Sequence, residues 1–263
     1  MTTISIDKEK CRGCGICINV CPLRVLTTDT DGKAAVVENY ELRCIGCGHC
    51  AAVCPEGAVS VDGITCDRME PAALHPDEGR ILEHVVRRRR SIRAYKPDTV
   101  PVEKLQRMMD VTRWTPTAKN TQAVCWTVIR SPARVHTLAG MVVDWFRESG
   151  TMSGIVKAWE SGTDIILRDA PHLVIAHSST DAFMPETDCA IALTILDLAA
   201  TASGLGTCWA GFFMMAAVAW APIAREIDLP ENHRVYGALM MGYPVYQFKR
   251  VPPRNECNVT WLT

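Results

Sequence analysis

Apolar residues alternate with polar ones in short runs at the start of the chain and in longer, helical patterns after it. Ile4 to Ile6 and Ala58 to Val61 read as β-strands, separated by a polar stretch punctuated by Gly and dense in Cys. Ile81 to Arg90 is helical in pattern and ends in four Arg. Val102 to Arg113 places Val102, Leu105, Met108, Met109 and Val111 at the spacing of an amphipathic helix. Trp126 to Ile129 and His172 to Ala176 are apolar runs with β-branched residues and read as strands. Cys189 to Ser203 predicts a long apolar helix stopped by Gly204, and Val235 to Met241 a buried strand closed by Gly242-Tyr243-Pro244. Leu198 to Ala224 carries no charge, but Gly204, Gly206, Gly211 and Pro222 break it. It reads as two buried core segments around a Gly-rich turn, not as a membrane span. Residues 68–80 hold two Pro and one Gly with no strong period and read as a linker. The pattern therefore predicts an α+β chain: a small domain over 1–67, a linker over 68–80 and a larger α+β domain over 81–263.

Composition narrows the function. At 48% hydrophobic residues the chain is too apolar to be disordered. Its 28 basic and 29 acidic residues nearly cancel, so no global field points to nucleic acid. The opening MTTISIDKEKC lacks the apolar core of a signal peptide, which points to a cytoplasmic protein. In that setting the 13 Cys, nine of them in the first 67 residues, are expected to bind metal rather than form disulfides.

Residues 11–22 (CRGCGICINVCP) and 44–55 (CIGCGHCAAVCP) form an internal repeat with an offset of 33 residues. Each copy reads C-x2-C-x2-C-x3-C-P. Three close thiolates can hold three iron corners of one cluster, while the fourth Cys points away and completes the other. That logic groups Cys11, Cys14, Cys17 and Cys54 in one set, and Cys44, Cys47, Cys50 and Cys21 in the other. The inner Gly residues let backbone N–H groups approach the sulfurs. Zinc is the alternative, since CxxC pairs suit tetrahedral sites, but zinc has no need of this spacing twice. Residues 1–65 resemble bacterial-type ferredoxins with two [4Fe–4S] clusters.

Four further segments carry a second resemblance: RRSIR at 89–93, TPTAKNTQ at 115–122, GLGTCWAGF at 204–212 and GYPVYQFKRVPPR at 242–254. Together they are similar to the nitroreductase family of FMN flavoproteins over about residues 81–263. The whole chain resembles members with an N-terminal ferredoxin domain. The resemblance implies that Arg89, Arg90, Ser91 and Arg93 bind FMN, the Arg forks suiting its phosphate. Arg254 and, secondarily, Lys249 would make a distal phosphate contact, with Arg250 able to replace either. Arg87 and Arg88 read as a solvated charge run. Pro116, Thr117, Ala118 and Asn120 would contact FMN across a homodimer interface. Cys208, Trp209, Ala210 and Gly211 would lie along the reactive N5 edge of the flavin. The sequence departs from the family at Gln122-Ala-Val-Cys-Trp126, where Gln-Pro-Trp is usual, and at Ala210, where some members carry an acidic residue.

The thiols of Cys66, Cys125, Cys189, Cys208 and Cys257 read as small buried apolar side chains. Met141 to Gly162 is a candidate substrate-pocket stretch, with Trp145, Phe146 and Trp159 as walls. His172 and His177 flank a strand, and Asp188 complements a helix dipole. No Ser/His/Asp or Cys/His constellation stands out, which fits chemistry done by a cofactor.

The expectation is an FMN-dependent oxidoreductase. It takes electrons from an external low-potential donor such as ferredoxin, through two [4Fe–4S] clusters, and reduces a small electron-poor organic substrate, a nitro compound or similar. Direct use of NAD(P)H, with the clusters as exit route or sensor, is one alternative. A non-enzymatic electron relay is another. Neither nucleic acid nor membrane is an expected partner.

Overall fold

The computed structural model describes residues 2–263. The chain folds as two units: one runs to His75 and includes Lys119–Thr121, and the other takes Pro76–Ala118 and Gln122–Thr263.

In the first unit the elements are β1 (Ile4–Ile6), α1 (Ile16–Val20), β2 (Leu26–Thr28), β3 (Ala34–Val36), α2 (His49–Ala52) and β4 (Val59–Val61). β1 pairs antiparallel with β4, as the two β-like runs predict, and β2 pairs antiparallel with β3. This second hairpin carries no sequence signal, because Leu26-Thr27-Thr28 and Ala34-Ala35-Val36 lack the apolar–polar–apolar alternation of β1 and β4. The repeat is visible in the backbone. Each Cys loop enters its short helix through a left-handed glycine, Gly15 at φ 71° before α1 and Gly48 at φ 72° before α2. Ile4, Val25, Leu26, Ala51, Val59 and Val61 form the apolar centre, beneath the two Cys loops.

The second unit contains α3 (Glu78–Arg88), α4 (Val102–Thr112), β5 (Cys125–Ile129), α5 (Pro132–Glu148), α6 (Ser153–Glu160), β6 (His172–Ser179), α7 (Pro185–Ala202), β7 (Gly206–Trp209), α8 (Gly211–Ala219), α9 (Ala221–Glu226) and β8 (His233–Gly242). The strands form one antiparallel sheet in the order β5-β6-β8-β7. On one face, Leu105 and Met108 of α4 and Leu193 and Leu196 of α7 pack with Val174, Ala176, Leu239 and Met241. On the other, Leu138, Val142 and Phe146 of α5, Phe213 of α8 and Ile223 of α9 pack with Leu173, Ile175, Ala238 and Met240. β6 and β8 are thus covered on both faces, which is why their sequences are continuously apolar rather than alternating.

Several elements differ from the sequence expectations. α3 starts at Glu78 and stops at Arg88, because Arg89 turns to φ −55° and ψ 132°. α7 begins about a turn before Cys189, with Pro185 in its first turn, where a missing N–H costs nothing. The Gly-rich turn expected around 204–211 contains a strand, β7, paired with β8. Most of Met141 to Gly162 lies in α5 and α6, with short connections at 149–152 and 161–162. Phe146 is fully buried, and the Trp145 ring packs 5.0 Å from it. Trp159 stacks on His136 at 4.7 Å. Burial of a side chain like Phe146 contributes about 1.5–3 kcal/mol to the core, and half-buried Trp145 and Trp159 pack against that core. Among the described residues, no helix is long and apolar enough to cross a membrane.

Candidate cofactor sites

The Cys repeat folds into two hollows. One is lined by Cys11, Cys14, Cys17 and Cys54, the other by Cys21, Cys44, Cys47 and Cys50. Each loop therefore supplies three thiols to its own hollow and its Cys-Pro thiol to the other, the grouping expected from the spacing. Backbone N–H groups point at the sulfurs. Val25 N donates to Cys21 Sγ at 3.4 Å, Ala58 N to Cys54 Sγ at 3.3 Å and Ala34 N to Cys11 Sγ at 3.4 Å. The first two bonds are equivalent, each made by the residue four positions after a closing Cys. The inner glycines supply left-handed turns (Gly13 at φ 75°, Gly46 at φ 61°) rather than these amides. The Ile16 N–H, then Arg12, draws the Cys14 thiol below its ordinary pKa. Burial pushes Cys50 up to about 11 and raises Cys17, so thiolates there need a cation. Four thiols per hollow, with amides aimed at sulfur, fit an iron–sulfur cluster.

In the second unit the 89–93 segment leaves α3 and runs beside β7. Ser91 forms a parallel bridge with Thr207, and Ile92 N donates to Thr207 O at 2.8 Å. Tyr95 Oη, donating to Ile92 O at 2.7 Å, fixes the turn that follows. Two motifs more than a hundred residues apart in sequence are thereby brought side by side. β7 then delivers exposed Trp209, buried Ala210 and Gly211, the first residue of α8. The Ala210 amide is held by Ala238 O at 2.9 Å. The free donors at this turn are instead the first amides of α8, from Gly211 onward, which have no acceptor within the helix. The Cys208 sulfur lies in the core, so this residue offers its backbone only.

Behind the segment sits Asp197 of α7, nearly buried. It accepts a hydrogen bond from the Thr207 hydroxyl and pairs with Arg89 Nη1 at 3.4 Å. Burial raises the Asp197 carboxyl above its ordinary range, and Thr207 and Arg89 partly offset this. Asp197 is absent from the sequence expectations; its signal is the one carboxylate between Cys189 and Ser203, two turns before Gly204.

Arg90 donates to Arg89 O at 2.6 Å and to Arg87 O at 2.7 Å, while its buried Nε has no partner among the described residues. Arg90 lines a cavity of about 240 Å³ with Arg88, Ile92, Thr201, Gly204, Leu205 and residues of the 244–248 segment. A second cavity, of about 460 Å³, is lined by Arg80, Arg87, Arg88, Lys249 and Arg250 against a single carboxylate, Glu83, with His84, Phe248 and Val251 completing it. Arg87 and Arg88 are both exposed, as a charge run would be; both also line this cavity, and Arg88 donates to Thr201 O at 2.6 Å. An orphaned guanidinium N–H beside a cluster of cations fits a group rich in anionic oxygens.

A family model described as the nitroreductase family matches residues 86–243, most of the second unit. The chain belongs to the nitroreductase family. A second model, described as a 4Fe-4S dicluster domain, matches residues 10–58. A curated ferredoxin from Thermococcus litoralis is 52% identical over 31 residues, 12% of this chain and 51% of the relative, so the chain spans about half the length of that relative. Three solved structures share the fold of the nitroreductase unit. An FMN-bound nitroreductase from Bacteroides fragilis NCTC 9343 aligns with a TM-score of 0.61 at 22% identity, over 69% of this chain and 98% of that one. An FMN-bound nitroreductase from Desulfitobacterium hafniense DCB-2 gives 0.59 at 19%, over 69% and 98%. An iodotyrosine deiodinase bound to FMN and 3-iodo-L-tyrosine gives 0.56 at 21%, over 69% and 99%.

Arg93, Pro116, Thr117, Ala118 and Arg254 do not line the Arg90 cavity. Thr117 lines a separate cavity of about 210 Å³ with Met109, Thr112, Arg113, Thr115, Gln122, Val124 and Trp126. Its hydroxyl accepts from Gln122 N at 2.9 Å. Ala118 N donates to Asp188 Oδ1 at 3.0 Å, which makes buried Asp188 a clamp on this turn rather than a helix-dipole group alone. Pro116 is exposed. Asn120 belongs to the first unit, where its Nδ2 donates to Ile45 O at 3.1 Å. Lys119, Asn120 and Gln122 all take left-handed φ of 50–54° without being glycine, so the turn is held in a strained form. Arg93 is exposed and donates to Ser91 O at 3.4 Å. Arg254 is exposed, in a tail without regular structure, and lines neither cationic cavity. Of the five cysteines expected to be buried, Cys189 and Cys208 are; Cys66 and Cys125 are half-buried and Cys257 is exposed.

Proposed function

We propose that the protein is an FMN-dependent oxidoreductase that receives electrons through two [4Fe–4S] clusters and reduces a small electron-poor organic substrate, a nitro compound or similar. The observation that carries this reading is the pairing, in one chain, of two four-cysteine hollows with a nitroreductase fold whose 89–91 segment lies against β7. Cys11, Cys14, Cys17 and Cys54 hold one cluster; Cys21, Cys44, Cys47 and Cys50 hold the other. When bound, the clusters supply one-electron transfer and FMN supplies two-electron reduction.

Arg89, Arg90 and Ser91 bind the phosphate end of FMN, and Asp197 with Thr207 keeps Arg89 in place. Lys249, with Arg87, Arg88 and Arg250, extends the positive field around it. Trp209 and the first α8 amides face the flavin ring. The strained 116–120 turn lies at a cavity of its own, which suits a role toward the flavin of a second copy, so the working enzyme is a homodimer. Free cysteines suit a reducing, cytoplasmic setting, and an external low-potential protein such as ferredoxin is the donor.

The test is anaerobic purification, cofactor extraction and photoreduction with a panel of nitro, enone and halogenated acceptors. Turnover of a panel member supports the reading. Flavin reduction by NADH in a variant without clusters favours direct use of NAD(P)H instead. Cofactor reduction with no turnover of any panel member favours a relay.

A further inference from the structure

One face of the sheet carries a cluster unrelated to the sites above. Cys125 of β5 stands directly opposite His177 of β6. His177 pairs with Val235 and Ser179 with His233, so the alternation of strand side chains puts both His rings on the same face. His177 Nδ1 and His233 Nδ1 are 2.8 Å apart, and the possible ligand atoms of Cys125, His177 and His233 all lie within 4.8 Å of one another. His177 is buried, while Cys125 and His233 are half-buried, so the cluster opens toward solvent on one side.

An imidazole–imidazole hydrogen bond explains the two rings but not the thiol beside them. Among the described residues Cys125 Sγ donates to Ala123 O alone, over a long 3.8 Å, and that carbonyl also accepts the shorter bond from Ser178 Oγ at 2.9 Å. We propose that Cys125, His177 and His233 form a zinc site, with one thiolate, two Nδ1 ligands and an open fourth position. One thiolate with two imidazoles is a donor set suited to a borderline-soft divalent ion, and three protein ligands leave room for water.

Thr127 Oγ1, on the same face, lies 3.3 Å from His177 Nε2. With metal on Nδ1, the Nε2–H donates to this hydroxyl, the outer-shell bond that orients a metal-binding His. Tetrahedral ligands at zinc distances sit about 3.3 Å apart, so the rings part by about 0.5 Å. Zinc replaces the proton shared between them, His233 shifts its proton to Nε2, and the Cys125 thiol proton leaves to solvent.

The test uses the anaerobic holoprotein, incubated with zinc sulfate and then desalted. Zinc and iron are counted separately, and zinc-edge X-ray absorption reads the ligands. The expected result is about one zinc per chain at unchanged iron, with one sulfur near ~2.3 Å and two imidazole nitrogens near ~2.0–2.1 Å. Cys125→Ala and His233→Gln should each cut retained zinc at least ~10-fold without changing iron, and Thr127→Val should weaken binding roughly 10–100-fold. If those variants fail to fold, the wild-type absorption spectrum decides alone. No retained zinc, a four-sulfur shell, or retention unchanged in folded Cys125→Ala and His233→Gln would each overturn the proposal.

Discussion

Gly206→Ala probes the contact that aligns the 89–93 segment with β7. Gly206 does not use a left-handed backbone, so alanine adds no φ strain; its effect is steric. A Cβ there meets Ile92 Cγ1 at 2.5 Å, Cβ at 2.8 Å and Cγ2 at 2.9 Å. Carbon atoms rest about 3.5–4.0 Å apart, so Ile92 must retreat by about 1 Å. Because one of the clashing atoms is the Ile92 Cβ, rotation of the side chain cannot relieve it. The retreat pulls on the Ile92–Thr207 hydrogen bond and the Ser91–Thr207 bridge. Overpacking of this kind costs about 1–3 kcal/mol. Displacing Arg89, Arg90 and Ser91 by that distance should raise the Kd for FMN roughly 10–100-fold, equivalent to about 1.4–2.7 kcal/mol. The assay is quenching of FMN fluorescence on titration with flavin-free protein. Gly150→Ala is the control: Gly150 has φ +66° and nothing within 4 Å of its Cβ position, so the variant should lose about 1 kcal/mol of stability and keep its FMN affinity. A folded Gly206→Ala variant with wild-type FMN affinity would refute the placement of the phosphate end.

Cys54→Ser should damage the cluster whose other ligands are Cys11, Cys14 and Cys17, and Cys21→Ser the other; each should lose about half the iron, with distinct changes in the reduced electron paramagnetic resonance spectrum. Equal damage to both clusters by either variant would contradict the crossed ligand sets. Asp197 makes stability pH-dependent: its folded carboxyl is held above 3.8, so the folded state keeps its proton longer than the unfolded chain, and stability falls as pH rises through that raised value. Asp197→Asn should flatten this slope in urea unfolding as pH rises above 3.8. Tryptophan fluorescence suits that measurement, because all 7 Trp belong to the second unit. Light scattering should give the mass of a dimer for the FMN-loaded protein; a monomer that keeps FMN tightly would contradict the role given to the 116–120 turn.

Whatever rests on local spacing was legible in the sequence. Both cysteine sets follow from C-x2-C-x2-C-x3-C-P, because close ligands are positioned by their own loop. β6 and β8 were legible because burial on both faces makes each continuously apolar. α5 carries its start signals, with Ser131 Oγ accepting from Arg134 N at 3.3 Å and Pro132 in the first turn, yet its bulky aromatics suggested a pocket. The strand β7 hid among glycines, one of which, Gly206, exists to admit Ile92. Features that need distant partners were not legible. Nothing near Asp197 in the sequence names Arg89, and nothing links Cys125 to His177 and His233 before the sheet register does so. Arg88 looked like part of a charge run because its cavity is closed by residues of the 244–251 segment.

The most direct measurement is the cofactor content of protein prepared without oxygen. Iron, sulfide and flavin extracted from one sample should approach roughly eight iron, eight sulfide and one FMN per chain. A colourless preparation, with zinc filling the two cysteine hollows and no flavin released on heating, would contradict the account.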